Sequence, residues 1–589
     1  MAFVCRSVGK PDKESEIDTT TRFEFHRRGI IKCERAAPRR LTENIVATNN
    51  YDAIIVGGGH NGLVAAAYFA RAGARTLVLE ARSRTGGAAD TSAPFAELPD
   101  VKVSTYSYVV SVLPPRIIRE LELERHGLRI FPVWGSANPF PDGRCMEQFN
   151  EDSQLTQESI TQFSKRDAEA YPEWEEWIHR AGAILGPLLT HVPPQLGSTS
   201  FGDLVEQAQL AWKVRKLGVR GIADLTRLFS MSITDLLDEW FESDELKAII
   251  ASVGVIGAWS GPDGPGTAFV LIHNAISDVG EGEVNSWGYP QGGMGAVSDA
   301  IRSSAESAGC VVRTDARVAK ILTQGDRVVG AVLDSGEEFR APVVVSGVHP
   351  KVAFLQLVER DALPGEFVRD IERYKTRSGT VKINAALSEL PDLRYAPGTQ
   401  LQRHHTGSLN LCFSPRYIER AFQDAHMDRR GSTAPMVEGA IPSTLDPTLT
   451  PEGIHYFSLF TQYVPHEWSQ APHREELEAY ADRVIDLYTE LAPNFKRSVI
   501  DRQVLGPYDM EQDLGMIGGN IFHGEISLDQ LFHMRPAPGY ADYRTPIRGL
   551  YNASSGTHAG GGVNGIPGLQ TFRQAKRDGA LRRRSKNLR

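Results

Sequence analysis

The chain has 589 residues, 41% of them hydrophobic and 23% charged, with a formal net charge of −9. That length exceeds one simple core and predicts roughly two to four domains; the acidic balance argues against a chain-wide surface for nucleic acid or anionic membrane. The five cysteines, Cys5, Cys33, Cys145, Cys310 and Cys412, form no CxxC pair and suit neither a zinc site nor a disulfide framework, so no metal is expected.

Residues 1–50 read as a disordered extension. Basic residues cluster toward Arg27–Arg40, yet Asp12, Glu14, Glu16 and Asp18 come early, and an organelle-targeting presequence is poor in acids. No apolar run reaches the length of a membrane-spanning helix. The fold begins at Tyr51. Asp52–Val56 predicts a buried parallel strand. A glycine cluster follows, then an Ala-rich helix over Leu63–Ala72, then a strand over Arg75–Leu79 that ends at Glu80. Further on, Arg166–Leu189 and Ser232–Ala251 read as helices, the second opened by a hydroxyl cap at Ser232. Ala296–Ala308 reads as helix. Val311–Arg313, Ala316–Leu322, Arg327–Leu333 and Glu338–Val345 read as strands divided by turn signals. Residues 351–515 form a mixed region, and the chain is glycine-rich again from Gly518.

Gly57-Gly58-Gly59-His60-Asn61-Gly62 matches G-x-G-x-x-G. It follows a strand at Val56 and opens a helix, and Glu80 stands where ribose hydroxyls are bound. Together these predict a dinucleotide site with phosphates on free helix N–H groups. The carboxylate of Glu80 disfavours NADP and leaves NAD or FAD. The run Ala81-Arg82-Ser83-Arg84-Thr85-Gly86-Gly87-Ala88 resembles the second flavin signature of glutathione-reductase-type folds and favours FAD. A third segment, Gly549–Gly568, places a short strand and many glycines ahead of a helix, again suited to a bulky ligand.

Gly58–Leu63, Trp287–Gly295, Met534-Arg535-Pro536-Ala537-Pro538 and Ser555–Gly565 together resemble the phytoene-desaturase-like FAD oxidoreductases, from about Tyr51 to about Ala575. The resemblance implies an α/β fold: a discontinuous Rossmann-like FAD-binding domain of glutathione-reductase type (51–140, 288–350 and 516–580) with a mixed α+β substrate domain inserted (141–287 and 351–515). It implies that Val56 to Gly62, Glu80 and Ala81 hold the diphosphate and adenosine ribose. Arg82, Gly86, Gly87 and Ala88 then approach the diphosphate and flavin, and Val318 the adenine. Ser555, Gly556, Gly565 and Ile566 lie by the diphosphate and isoalloxazine, and Trp287–Met294 between the substrate cavity and the flavin domain. Ser554, Ala559 and Asn552 depart from the family pattern.

The expected activity is dehydrogenation or desaturation of an apolar or amphipathic small molecule by hydride transfer to flavin, with an electron acceptor left open. No nucleic acid partner is expected, and peripheral membrane association is compatible with a lipid substrate. The alternative is a flavin-fold binding or regulatory protein, as in the similar Rab GDP-dissociation inhibitors. A bacterial cytoplasm and the mitochondrial matrix, where animal members of the nearest branch reside, both fit. His60, His273, His349 and His558 are candidate proton carriers by position; none is singled out as the catalytic base.

Overall fold

The computed structural model describes residues 49–193, 201–275, 288–558 and 560–581. The expectations placed on the N-terminal extension, on Trp287 and on Ala559 lie outside those residues. Two sheets organise the rest. The first has five parallel strands in the order Leu550–Asn552, Val344–Ser346, Ala53–Val56, Thr76–Leu79 and Val311–Arg313. Strand periodicity explains its two cores. Ala53, Ile55, Val78 and Val345 face one side, toward helices His60–Arg71, Gly295–Ser307 and Ile566–Arg577. Ile54, Val56, Leu77 and Val344 face the other, toward a three-stranded antiparallel sheet that begins at Val318. Strands from the beginning, middle and end of the chain therefore share one sheet.

The second sheet has seven strands: Val499–Leu505, Thr380–Leu387, His455–Gln462, Met436–Ala440, Ser408–Leu411, Gly135–Pro139 and Cys145–Phe149. All pairs are antiparallel except Ser408–Leu411 with Gly135–Pro139. Val381, Ile383, Ala385 and Leu387 point to one face, where helix Arg474–Leu491 covers them with Leu477, Val484 and Tyr488. Lys382, Asn384 and Ala386 therefore point to the other. That opposite face looks onto a cavity.

Two assignments differ from the sequence reading. Gly135–Pro139, grouped there with the FAD-binding segments, pairs into the seven-stranded sheet. Ala353, Phe354, Phe367 and Ile371, grouped with the substrate region, pack instead on the core beneath Ile54 and Val56. The stretch Ser232–Ala251 is also two helices, Ile233–Asp238 and Asp244–Val253. The buried Asp167 carboxylate accepts the backbone N–H groups of Glu242 and Ser243 at 2.8 Å each and so breaks the helix between them. The Ser232 cap itself is present, its hydroxyl accepting the Asp235 N–H at 3.0 Å.

Arg535, fully buried, ties the glycine-rich C-terminal segment to the loop before it. Its guanidinium donates to six carbonyls, those of Phe522, Gly524, Glu525, Gln530, Ser555 and Thr557, at 2.9 to 3.5 Å. A lysine offers three donors and no fork. Arg535→Lys is expected to lose about 3 kcal/mol of stability or more, since buried acceptors lose charge-assisted bonds. The expected result is a lower urea midpoint for the cofactor-depleted protein. An unchanged midpoint would show that these carbonyls do not depend on the guanidinium.

Candidate functional site

The glycine loop sits at the end of strand Ala53–Val56, directly before helix His60–Arg71. Its glycines do different things. Gly57 has φ +94, a left-handed conformation that side chains resist, and turns the chain out of the strand. Gly62 lies so close to the loop that a Cβ there would stand 2.2 Å from the Gly57 carbonyl oxygen. A Cβ on Gly59 would meet nothing within 4 Å, because that position opens onto the cavity. The helix has no side-chain cap and no acid in its first turn, so its leading N–H groups and dipole remain available to an anion.

Glu80 closes the other side. Its Oε2 accepts the Gly58 N–H at 2.7 Å and its Oε1 accepts the Arg82 N–H at 2.8 Å. Each oxygen keeps a lone pair, and Glu80 lines the cavity, as a ribose-binding carboxylate requires. Gly86 donates to the Gly58 carbonyl at 2.8 Å and joins the two glycine segments. Arg82 and Arg84 both pair with the buried Asp90. From the far end of the chain, Ser555 Oγ accepts from Asn61 Nδ2 at 3.0 Å, while Asn61 Oδ1 is buried with no protein partner.

A cavity of about 800 Å³ runs from this cradle into the space beneath the seven-stranded sheet. Of the residues that the sequence assigns to the cofactor, twelve line it: Val56, Gly57, Gly59, His60, Asn61, Glu80, Ala81, Arg82, Gly87, Ala88, Val318 and Ser555. Gly58, Gly62, Gly86, Gly556, Gly565 and Ile566 do not; they form the wall behind. Gly565 caps helix Ile566–Arg577, and Gly568 in that helix approaches the Asn61 carbonyl so closely that a Cβ would stand 2.2 Å away. Of the four candidate histidines, His60 and His273 line the cavity, whereas His349 and His558 are buried away from it.

The cavity also holds groups that sequence reading did not single out: Lys382, Glu438, Tyr108 and Phe460 at the seven-stranded sheet, and His523 near His60. Lys382 is almost fully buried and donates to Asn384 Oδ1 at 2.5 Å and Ser458 Oγ at 2.8 Å. Burial holds its amine well below the ordinary lysine range. Glu438 accepts from the Tyr108 hydroxyl at 2.5 Å, and burial raises its carboxyl. Burial also lowers His60 to about 4 and His523 to about 3, so both rings are neutral near pH 7. The signal for Lys382 was present in Val381-Lys382-Ile383-Asn384-Ala385, an apolar–polar alternation over a strand. Its meaning depends on which face is covered, and that is set by residues far away in sequence.

A parallel sheet with a glycine cradle at the helix N-terminus, a ribose-binding acid and a deep apolar extension define a dinucleotide-dependent oxidoreductase. The comparisons with known proteins agree. Residues 55–116 match the NAD(P)-binding Rossmann-like domain, and residues 225–417 match the flavin containing amine oxidoreductases. The chain belongs to the family of pyridine nucleotide-disulfide oxidoreductase domain-containing protein 2. It is 41% identical to that protein from Rattus norvegicus over 552 residues, 90% of this chain and 94% of the relative. This is the branch to which the sequence motifs pointed. A phytoene desaturase (lycopene-forming) from Pseudescherichia vulneris is 24% identical, covering 87% of this chain and 96% of that one. Among solved structures, a putrescine oxidase bound to putrescine shares the fold, with a TM-score of 0.55 at 15% identity over 90% of this chain and 99% of that one.

The cofactor is FAD, and the residues fit it: an open glycine cradle, free helix N–H groups, the orphaned Asn61 Oδ1 and the Glu80 lone pairs all face a cavity long enough to continue past a nucleotide. Despite the family's name, dithiol chemistry has no basis among the described residues. Cys145, Cys310 and Cys412 are buried and unpaired, and burial pushes each thiol up to about 12.

Glu80→Gln sets an amide NH₂ against one of the two backbone N–H groups that Glu80 now accepts. FAD affinity is expected to fall at least roughly tenfold, read as flavin lost on gel filtration. Full retention of flavin would contradict the role of Glu80.

Proposed function

We propose that the protein dehydrogenates or desaturates an apolar or amphipathic small molecule, with hydride transfer to FAD and Lys382 as the proton acceptor. The carrying observation is Lys382 itself: a buried amine, held by burial well below the ordinary lysine range, at the wall of a cavity continuous with the glycine cradle. Bound FAD supplies the two-electron acceptor for a hydride leaving a substrate C–H bond. When a second hydrogen leaves as a proton and a π bond forms, a base is required near the reacting carbon.

Lys382 Nζ supplies it. Two acceptors, Asn384 Oδ1 and Ser458 Oγ, fix the amine and stabilise the ammonium once formed. Asn384 is held in turn by the Tyr456 hydroxyl at 2.9 Å, and Asn384 Nδ2 donates to the Thr105 carbonyl at 3.1 Å. That carbonyl belongs to the segment that also carries the flavin-side wall, since Thr105 donates to the Asp90 carbonyl and Ser107 to the Ala88 carbonyl. The amine is therefore positioned from the flavin-domain side of the cavity. Val253, Ile256 and Phe460 line the adjoining wall and exclude water. The similarity to phytoene desaturases supports an apolar substrate class.

Anaerobic mixing with a panel of apolar alcohols, ketones and polyenes, followed by flavin bleaching, tests the reading. Lys382→Met is expected to keep its FAD and slow bleaching by roughly a hundredfold or more. In the unsubstituted protein, bleaching should accelerate as pH rises through an ionisation below the ordinary lysine range, because only the neutral amine accepts a proton; in Lys382→Met that limb disappears. Equal rates in the two proteins, or the same pH limb in both, would remove Lys382 from the reaction.

A further inference from the structure

Lys382 and Glu438 are not scattered over the cavity. On the seven-stranded sheet, Lys382 lies opposite Phe460, and Phe460 lies opposite Glu438 on the next strand. Residues in register across adjacent strands point to the same face. All three line the cavity. They form a row: an amine at one end, an aromatic ring in the middle and a carboxyl at the other end. Two strand spacings, roughly 10 Å, separate their backbones. The Lys382 end is tied to the flavin-side segment through Asn384 and Thr105. The Glu438 end is tied to the same segment through Tyr108.

Glu438 has no role in the chemistry proposed above. It is enclosed by protein yet keeps part of its surface open to the cavity. Tyr108 donates its one hydroxyl proton to Oε1. The titratable groups that face it are Tyr108, Tyr289, Cys412 and Tyr488, with Lys382 across the row, its Nζ 5.6 Å from the Tyr108 ring. Burial raises the first four and lowers Lys382, so each is pushed toward its uncharged form. Burial raises the carboxyl of Glu438 itself. Burial favours the protonated form of this carboxyl, against the opposing pull of the Tyr108 hydrogen bond, and the protonated form has a hydrogen bond to give. With Oε1 already accepting from Tyr108, the O–H on Oε2 is the free donor.

We infer that Glu438, oriented by Tyr108, is a substrate-recognition site that donates a hydrogen bond to an uncharged oxygen function, such as a ketone or ester carbonyl, held across the row from the reacting carbon beside Lys382. This rests on the reading of the cavity as the substrate site. It narrows the substrate from any apolar molecule to one with an apolar body that spans Phe460 and an oxygen acceptor at its far end. A hydrocarbon without that oxygen leaves the acid unpaired in an apolar site, which costs binding.

The test uses the FAD-loaded full chain and two probes of equal length, 2-octanone and octylamine, with binding read from the perturbation of the flavin absorbance band under anaerobic conditions. The ketone is expected to bind saturably and more tightly than the ammonium. Glu438→Gln still offers an N–H donor and should hold the ketone within about threefold. Glu438→Leu has none and should weaken it at least tenfold. The flavin band of each variant reports that the site has folded. If octylammonium binds better than the ketone, if Glu438→Gln loses the ketone, or if Glu438→Leu keeps it, the assignment is overturned. Binding is read without turnover, so a protein that binds the ketone as described but whose flavin no candidate reduces counts against the proposed reaction and not against this site.

Discussion

A guanidinium removed from water needs acceptors for its five N–H groups, and Arg535 finds six, all of them backbone carbonyls. Three belong to Phe522, Gly524 and Glu525, in the stretch whose Phe522 and His523 line the cavity. Two more belong to Ser555 and Thr557, beside the Ser555 hydroxyl that accepts from Asn61 in the glycine loop. The ring of Tyr374 lies 5.6 Å from the charge, and its hydroxyl donates to the Gly556 carbonyl at 3.2 Å. One side chain thus sets two irregular, glycine-rich segments against each other, where neither helix nor sheet could satisfy their carbonyls. The cofactor cradle and the substrate wall share that support.

The second constraint is electrostatic. Burial drives the ionisable groups at the seven-stranded sheet toward their uncharged forms: Lys382 downward, Glu438 and Tyr108 upward. A neutral amine accepts a proton and a neutral acid donates a hydrogen bond, so the same desolvation serves both roles proposed for the Lys382–Phe460–Glu438 row, a base at one end and a donor at the other. Glu80 and the Arg82–Asp90–Arg84 cluster lie at the nucleotide end.

How much of this was legible in the sequence depended on the range of the interactions. The loop Gly57–Gly62 and Glu80 form a local pattern with a local cause, and Gly57, Gly59, His60, Asn61 and Glu80 all line one cavity. Strands such as Val311–Arg313 and Arg327–Leu333 also stand where their alternation and turn signals put them. The discontinuous flavin domain was legible only because two glycine-rich segments resemble one family. What was missed is non-local. Thr380–Leu387 lies between His455–Gln462 and Val499–Leu505, and only that pairing makes Lys382 a cavity residue. The split in Ser232–Ala251 comes from Asp167, far upstream in sequence. His558 drew notice because it stands in a flavin-side segment, yet it is buried away from the cavity, while Lys382 and Glu438 carried no motif at all.

The account stands on FAD occupying the cradle between Gly59, Glu80 and Ser555. Denaturing the purified full chain and separating the released cofactor against FAD, FMN and NAD tests this most directly. About one equivalent of FAD per chain is expected, in a yellow protein that regains its colour when depleted and supplied with FAD again. A colourless protein that takes up no FAD, or one that releases NAD instead, would contradict it.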